Sequence, residues 1–171
     1  MSNKLKKVNP EEITDNVFKL VGKDWMLITA GTKAKFNTMT ASWGGLGILW
    51  GKKICFCTIR PQRYTYEFVE SSDTFTLSFF DDKYRSALNI CGIQSGRDTN
   101  KIADAGITPI ELSAKAVSFD EARLVIECKK LYYQDINPDN FLDPDIDKNY
   151  PNKDYHRMYI GEIVNCYLRD E

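Results

Sequence analysis

The chain has one histidine, no Cys-x-x-Cys pair, no P-loop and almost no net charge. Each absence removes a class of function. A lone histidine leaves little room for a nucleophilic triad, and no serine sits in a nucleophile elbow. The five cysteines are odd in number and scattered. Cys55 and Cys57 fall at i, i+2, while Cys91, Cys128 and Cys166 stand apart. Such spacing argues against a disulfide scaffold and a structural zinc site, and for reduced, mostly buried thiols in a cytoplasmic protein. A net charge of −1 gives no electrostatic footprint for nucleic acid or an anionic membrane. The longest uncharged apolar stretch, around Trp43 to Trp50, is short and broken by glycine, so no membrane span is expected. Lys4, Lys6 and Lys7 are followed by no apolar h-region, so a secretory signal is not expected.

Two partial motifs also fail. Gly45-x-Gly47 is followed by Trp50 where a dinucleotide fingerprint needs glycine. Asp143-x-Asp145-x-Asp147 resembles a calcium loop, but Lys148 replaces the required glycine and Pro151 interrupts the later ligands. It reads as a solvated loop, and no metal site is expected.

What is present is ordinary globular composition, 43% hydrophobic and 27% charged over 171 residues, which fits one domain with a sizeable core. Residues 1 to 16 are polar and are expected to drape over the domain or fray. Strands are expected at Trp25 to Ala30, Lys35 to Trp43 and Lys53 to Ile59. The last is a near-continuous apolar run that suggests burial on both faces. Pro61 precedes a helix from Tyr64 to Ser71, with Tyr64 and Phe68 on its buried face. Thr74 to Phe79 alternates cleanly as a strand. Helices are expected at Asp82 to Ile90, stopped by Gly92, and at Thr99 to Ala105, closed by Gly106. Strands at Ala114 to Phe119 and Arg123 to Gln134 precede a long Asp-, Asn- and Pro-rich loop, 135–155. Arg157 to Leu168 is the last strand. Six or seven strands with three short helices and no strand–helix rhythm point to a mainly β fold, an antiparallel barrel with helices packed outside.

Four stretches carry chemistry. Asn37-Thr38-Met39-Thr40-Ala41-Ser42-Trp43-Gly44-Gly45-Leu46-Gly47 places small polar groups and one indole before a cluster of glycines. That mixture suits the polar edge of a ring against an apolar wall; taken alone, the stretch reads rather as a strand running into a glycine-rich turn. Arg60-Pro61-Gln62-Arg63-Tyr64-Thr65 sets two guanidinium groups and a hydroxyl at a helix start, a natural anion site. Solvated arginines capping a loop fit it equally well. Ser95-Gly96-Arg97-Asp98-Thr99-Asn100-Lys101 repeats that chemistry at a second helix start, where a plain N-terminal turn also fits. His156 lies where the long loop enters the last strand, a position that structural histidines commonly occupy.

Taken in order, the Asn37 to Gly44 stretch, Arg60 to Thr65, and Ser95 to Asp98 with Lys101 resemble the flavin reductase-like family of FMN-binding split barrels. The flavoredoxin branch is the nearest match. The stretch His156 to Ile163 resembles that family's closing H-x-x-x-x-G-E-[IV] strand. The resemblance implies an antiparallel split β-barrel that binds FMN and accepts electrons from NAD(P)H. By it, Asn37, Thr38, Met39, Thr40 and Trp43 would lie along the isoalloxazine and ribityl chain. Arg60, Arg63 and Thr65 would hold the phosphate, with Ser95 and Arg97 on the same side. Lys101 would approach the flavin, and His156 would lie by the ring face where a nicotinamide stacks. The family implies a homodimer with FMN near the subunit interface. The wider family commonly shows Gly-Asp-His before the last strand, where this chain has Lys153-Asp154-Tyr155-His156. The alternative is therefore a flavoredoxin-like electron carrier reduced by a redox protein partner, without direct nicotinamide activity.

Overall fold

The computed structural model describes residues 5–112 and 116–170. Ten strands run through the described residues: β1 (Leu5–Val8), β2 (Met26–Thr32), β3 (Lys35–Ala41), β4 (Gly44–Leu49), β5 (Lys52–Ile59), β6 (Thr74–Phe79), β7 (Pro109–Glu111), β8 (Val117–Phe119), β9 (Leu124–Asp135) and β10 (Arg157–Arg169). Four short α-helices accompany them: α1 (Val17–Lys19), α2 (Tyr64–Ser71), α3 (Arg85–Ile93) and α4 (Lys101–Ala105). Every strand pair is antiparallel. One sheet runs in the order β3-β2-β6-β9-β10-β5-β4, with β1 also paired to β10; β7 and β8 form a separate pair. The sheet does not close on itself. β3 and β4 are its two ends, yet only Ser42 and Trp43 separate them in the chain. This is the expected antiparallel split barrel.

The alternation within each strand builds two apolar layers. Ile28, Phe75, Leu77, Phe79, Ile126, Cys128, Cys55, Cys57 and Tyr159 face the barrel interior. Leu27, Val125 and Tyr167 face outward, where Leu88 and Cys91 of α3, Phe80 and Phe119 cover them. The hydroxyl face of β6 is therefore buried too. Thr76 Oγ1 donates to the Val117 carbonyl (2.6 Å) and Ser78 meets Ser118 (2.9 Å), so β8 supplies the partners that burial demands. All five cysteines are free and buried, and no helix among the described residues is long and apolar enough to cross a membrane.

α2 and β6 match their expected limits, and Tyr64 packs edge-on against Phe68 (5.0 Å) on the helix's inner face. Other elements depart. The Gly44–Gly47 stretch is not a turn but the start of edge strand β4; the turn comes at Trp50 and Gly51. A Cβ on Gly44 would lie 2.5 Å from the Phe56 carbonyl oxygen, so glycine is needed for the close strand approach. β5 is not buried on both faces throughout, since Phe56 is 37% exposed. Trp25 lies before β2 with φ 68° and so ends the turn leading into it. α3 runs through Gly92 to Ile93, after a 3-10 turn over Asp82–Tyr84. Leu5–Val8 is a strand and not a fraying end. Ala114 lies outside the described residues, and the strand expected there begins at Val117. The long loop is folded, with 3-10 turns over Pro138–Asn140 and Pro144–Asn149.

Candidate functional site

Two cavities share one wall residue, Arg63. The smaller, about 140 Å³, is lined by Asn37, Gln62, Arg63, Tyr64, Thr65, Ile93, Gln94, Ser95 and Lys101. β3 delivers Asn37, the first turn of α2 delivers Thr65, and Asn37 Nδ2 donates to Thr65 Oγ1 (2.8 Å). Gly96 packs so tightly on the Asn37 amide that any side chain there would collide with its Oδ1. Three distant stretches of sequence are thereby locked together.

Charge is unbalanced around this cavity. Arg63 donates through Nη1 to the Gly92 carbonyl (2.8 Å) and through Nη2 to that of Cys91 (3.3 Å). Lys101 is 2% exposed and donates through Nζ to the Gln94 carbonyl (3.3 Å). Both cations thus sit at the carbonyl end of α3, where the helix dipole favours positive charge. Neither has a carboxylate partner among the described ion pairs. Burial, opposed by the Cys91 thiol and reinforced by Arg63, pulls the Lys101 ammonium down to about 8. Burial also lowers Arg63 from its usual value. Each retains N–H donors that these carbonyls do not use.

The larger cavity, about 270 Å³, is lined by Met39, Thr40, Ala41, Ser42, Trp43, Thr58, Arg60, Arg63 and His156. It bridges β3, one end of the sheet order, and β5, one strand in from the other end. Thr58 is 8% exposed, and its Oγ1 has no hydrogen-bond partner. His156 packs against the half-exposed Trp43 ring (centroids 4.9 Å apart) and against Tyr150 (5.5 Å). Burial, with Arg60 adding to it and Asp154 opposing, lowers the imidazole to about 4. The ring is therefore neutral near pH 7.

The long loop balances the charge on this side. Arg60 pairs with Asp154 Oδ2 (2.7 Å), donates to the Asn149 carbonyl (2.9 Å) and lies over the Tyr150 ring (5.0 Å). Gln62 Nε2 donates to the same Asp154 oxygen (2.5 Å). The Asp-rich run is spent on the loop's own fold. Asp143 caps Asp145 N (2.9 Å), Asp145 pairs with Lys148 (2.6 Å), and Asp147 takes Lys153 (2.5 Å) and the Tyr155 hydroxyl (2.8 Å). No group of three or more metal-ligating side chains occurs among the described residues.

Most of the residues singled out from sequence line the two cavities: Met39, Thr40, Trp43, Arg60, Arg63 and His156 one, and Asn37, Arg63, Thr65, Ser95 and Lys101 the other. Two do not. Thr38 is fully buried and turned onto β2, bonding Thr29 Oγ1 (2.8 Å) and the Ile28 carbonyl (3.1 Å). Strand alternation sends it away from Asn37 and Met39. Arg97 lies outside, paired with Glu67 and stacked over Tyr64 (4.7 Å). Thr40 lines the larger cavity with its hydroxyl already donated to the Leu88 carbonyl. Sequence reading missed Thr58, Tyr150 and Asp154. Thr58 had a signal, since it shares a strand face with Arg60 just before the Arg-Pro turn.

The family described as flavin reductase like domain matches residues 19–171. The chain belongs to that family. Among solved structures, the flavin reductase-like fold recurs with TM-score 0.71 in an FMN-binding domain of a flavin reductases-like enzyme from Shewanella baltica, at 17% identity, covering 99% of this chain and 79% of that one. It recurs with TM-score 0.67 in the flavoredoxin of Desulfovibrio vulgaris, at 22% identity over 96% and 78% of the two chains. Flavoredoxin from Methanosarcina acetivorans aligns with TM-score 0.67, at 20% identity over 95% and 77%. At such identities the shared feature is the fold. No curated protein matches the chain.

Proposed function

We propose that this flavin reductase-like chain is an FMN-binding oxidoreductase, reducing flavin or an acceptor through bound FMN with electrons from NAD(P)H. The observation that carries the reading is a pair of cations, the buried Lys101 and the half-buried Arg63, facing a phosphate-sized cavity without a carboxylate. A buried charge calls for a partner, and a phosphomonoester is one. The orphaned Thr58 hydroxyl in the adjoining cavity fits a polar ring edge on the same terms.

On this reading Arg63, Lys101, Thr65, Asn37 and Ser95 would hold the phosphate, each charge-assisted contact contributing about 1.5–3 kcal/mol net. Met39, Thr40, Trp43, Thr58 and His156 would hold the ring. Arg60, neutralised by Asp154, orients the loop instead of binding the anion. The bound flavin supplies the redox chemistry, so the chain's own task is to bind it, orient it and exclude water.

The apolar exterior favours a homodimer. On the sheet face shared with Thr58, register sets the exposed Phe56 and Tyr132 on either side of the buried Ile160, and Trp43, Leu49 and Trp50 extend the exposed apolar area. Residues of one copy would then lie beside the other copy's site. A second reading, a flavoredoxin-like carrier fed by a redox protein, is favoured by the folded loop that sets Tyr150 and Asp154 around His156 in place of the shorter Gly-Asp-His entry.

An absorbance spectrum of the purified protein, repeated after anaerobic NADH, tests both. FMN bands that bleach support the reductase. FMN bands that persist until a protein donor is added support the carrier. A colourless protein that leaves free FMN fluorescence unquenched contradicts both.

A further inference from the structure

Tyr150 is almost fully buried, and its hydroxyl lies 2.9 Å from Nδ1 of His156. Nothing in the family resemblance singles it out. Two arrangements of the shared proton are possible, and they differ in what they leave unsatisfied. If Nδ1–H donated to the phenol oxygen, the Tyr150 O–H would be a buried donor with no other acceptor among the described residues. If Tyr150 donates to Nδ1, that donor is satisfied, and the imidazole carries its own hydrogen on Nε2. Nε2 has no described protein partner, and His156 lines the larger cavity beside Trp43 and the orphaned Thr58 hydroxyl. The guanidinium of Arg60 over the Tyr150 ring strengthens the phenol as a donor, and Asp154 and the Asn149 carbonyl hold that guanidinium in place.

We propose that Tyr150 is a positioning residue: its hydroxyl fixes His156 as the Nε2–H tautomer, presenting a neutral hydrogen-bond donor to the cavity for a carbonyl-type oxygen of the ligand. The identity of that oxygen, on a flavin ring or a nicotinamide carboxamide, rests on the function proposed above; the tautomer does not. The groups facing the imidazole are Arg60 from the β5–α2 turn, Trp43 from the β3–β4 corner, and Tyr150 and Asp154 from the loop. The net effect of burial and Arg60 is to keep the ring uncharged, so His156 acts here as a fixed donor and not as a proton carrier.

Because the chain has one histidine, ring-15N-histidine labelling gives a single, unambiguous pair of imidazole signals. The expected wild-type spectrum at pH 7 shows a pyrrole-type Nε2 and a pyridine-type Nδ1. Tyr150→Phe is expected to raise the Nδ1–H population. Added FMN is expected to shift Nε2 more than Nδ1. An Nδ1–H tautomer in the wild type overturns the proposal without any variant. So does a folded Tyr150→Phe protein with an unchanged tautomer. The predicted tautomer together with unquenched FMN fluorescence sinks the flavin reading and leaves the Tyr150 assignment standing.

Discussion

Arg60 and Arg63 are three residues apart in one turn, and the two sides of the site they serve treat charge in opposite ways. On the loop side Arg60 is matched by Asp154, a backbone carbonyl and an aromatic face, and the neighbouring histidine is neutral. On the α3 side the buried Lys101 and the half-buried Arg63 have only carbonyl oxygens as hydrogen-bond partners. The first side is complete in charge and suited to orientation. The second is incomplete, and its incompleteness specifies an anion. Two arginines of equal appearance in the sequence therefore have different work.

The largest expected effect is at the incomplete side. Arg63→Ala is expected to weaken FMN binding at least tenfold, about 1.4 kcal/mol or more, read by flavin fluorescence quenching. Unchanged affinity would erase the contrast. Lys101→Met is expected to have effects of opposite sign. FMN affinity falls several-fold while the ligand-free melting temperature rises, because an apolar side chain replaces a desolvated ammonium. Titration gives the same contrast without mutation. An anion binds the protonated form, so wild-type affinity is expected to decline as pH rises through about 8, and the Lys101→Met variant to lack that decline.

On the complete side, Asp154→Asn is expected to lower the melting temperature while leaving FMN affinity within about twofold, a size that corresponds to roughly 0.4 kcal/mol. A tenfold loss there would make the loop a binding element. Apart from binding, His156 is expected to affect acid stability. Its folded value, about 4, lies below the free value of about 6.5. Between those values the unfolded chain binds more protons, so stability falls as pH drops through that window. Urea titrations at pH 7 and pH 5 are expected to show a larger loss for wild type than for His156→Gln.

α2 and β6 were legible in the sequence because local patterning and tertiary burial agree there: Phe75, Leu77 and Phe79 point inward as alternation requires. β4 was misread because its glycines look like a turn, and only the partner strand reveals that they make room for Phe56. Within the site, motif order brought out Asn37, Arg63, Thr65 and Lys101, whose residue types suit an anion. It also brought out Thr38, whose hydroxyl strand alternation turns onto β2, and Arg97, which Glu67 holds on the surface, and neither lines the two cavities. Tyr150 was hidden by an Asp-rich loop of solvated composition, whose acids are paired internally in the fold. Its role depends on a contact with His156 that no local pattern announces.

The unclosed sheet has a thermodynamic consequence. The larger cavity touches β3 at one end of the strand order and Thr58, one strand in from the other end. A molecule gripped there fastens β3 to β5, a contact the backbone ladder leaves undone. Its presence should register as heat resistance that grows with the logarithm of its concentration.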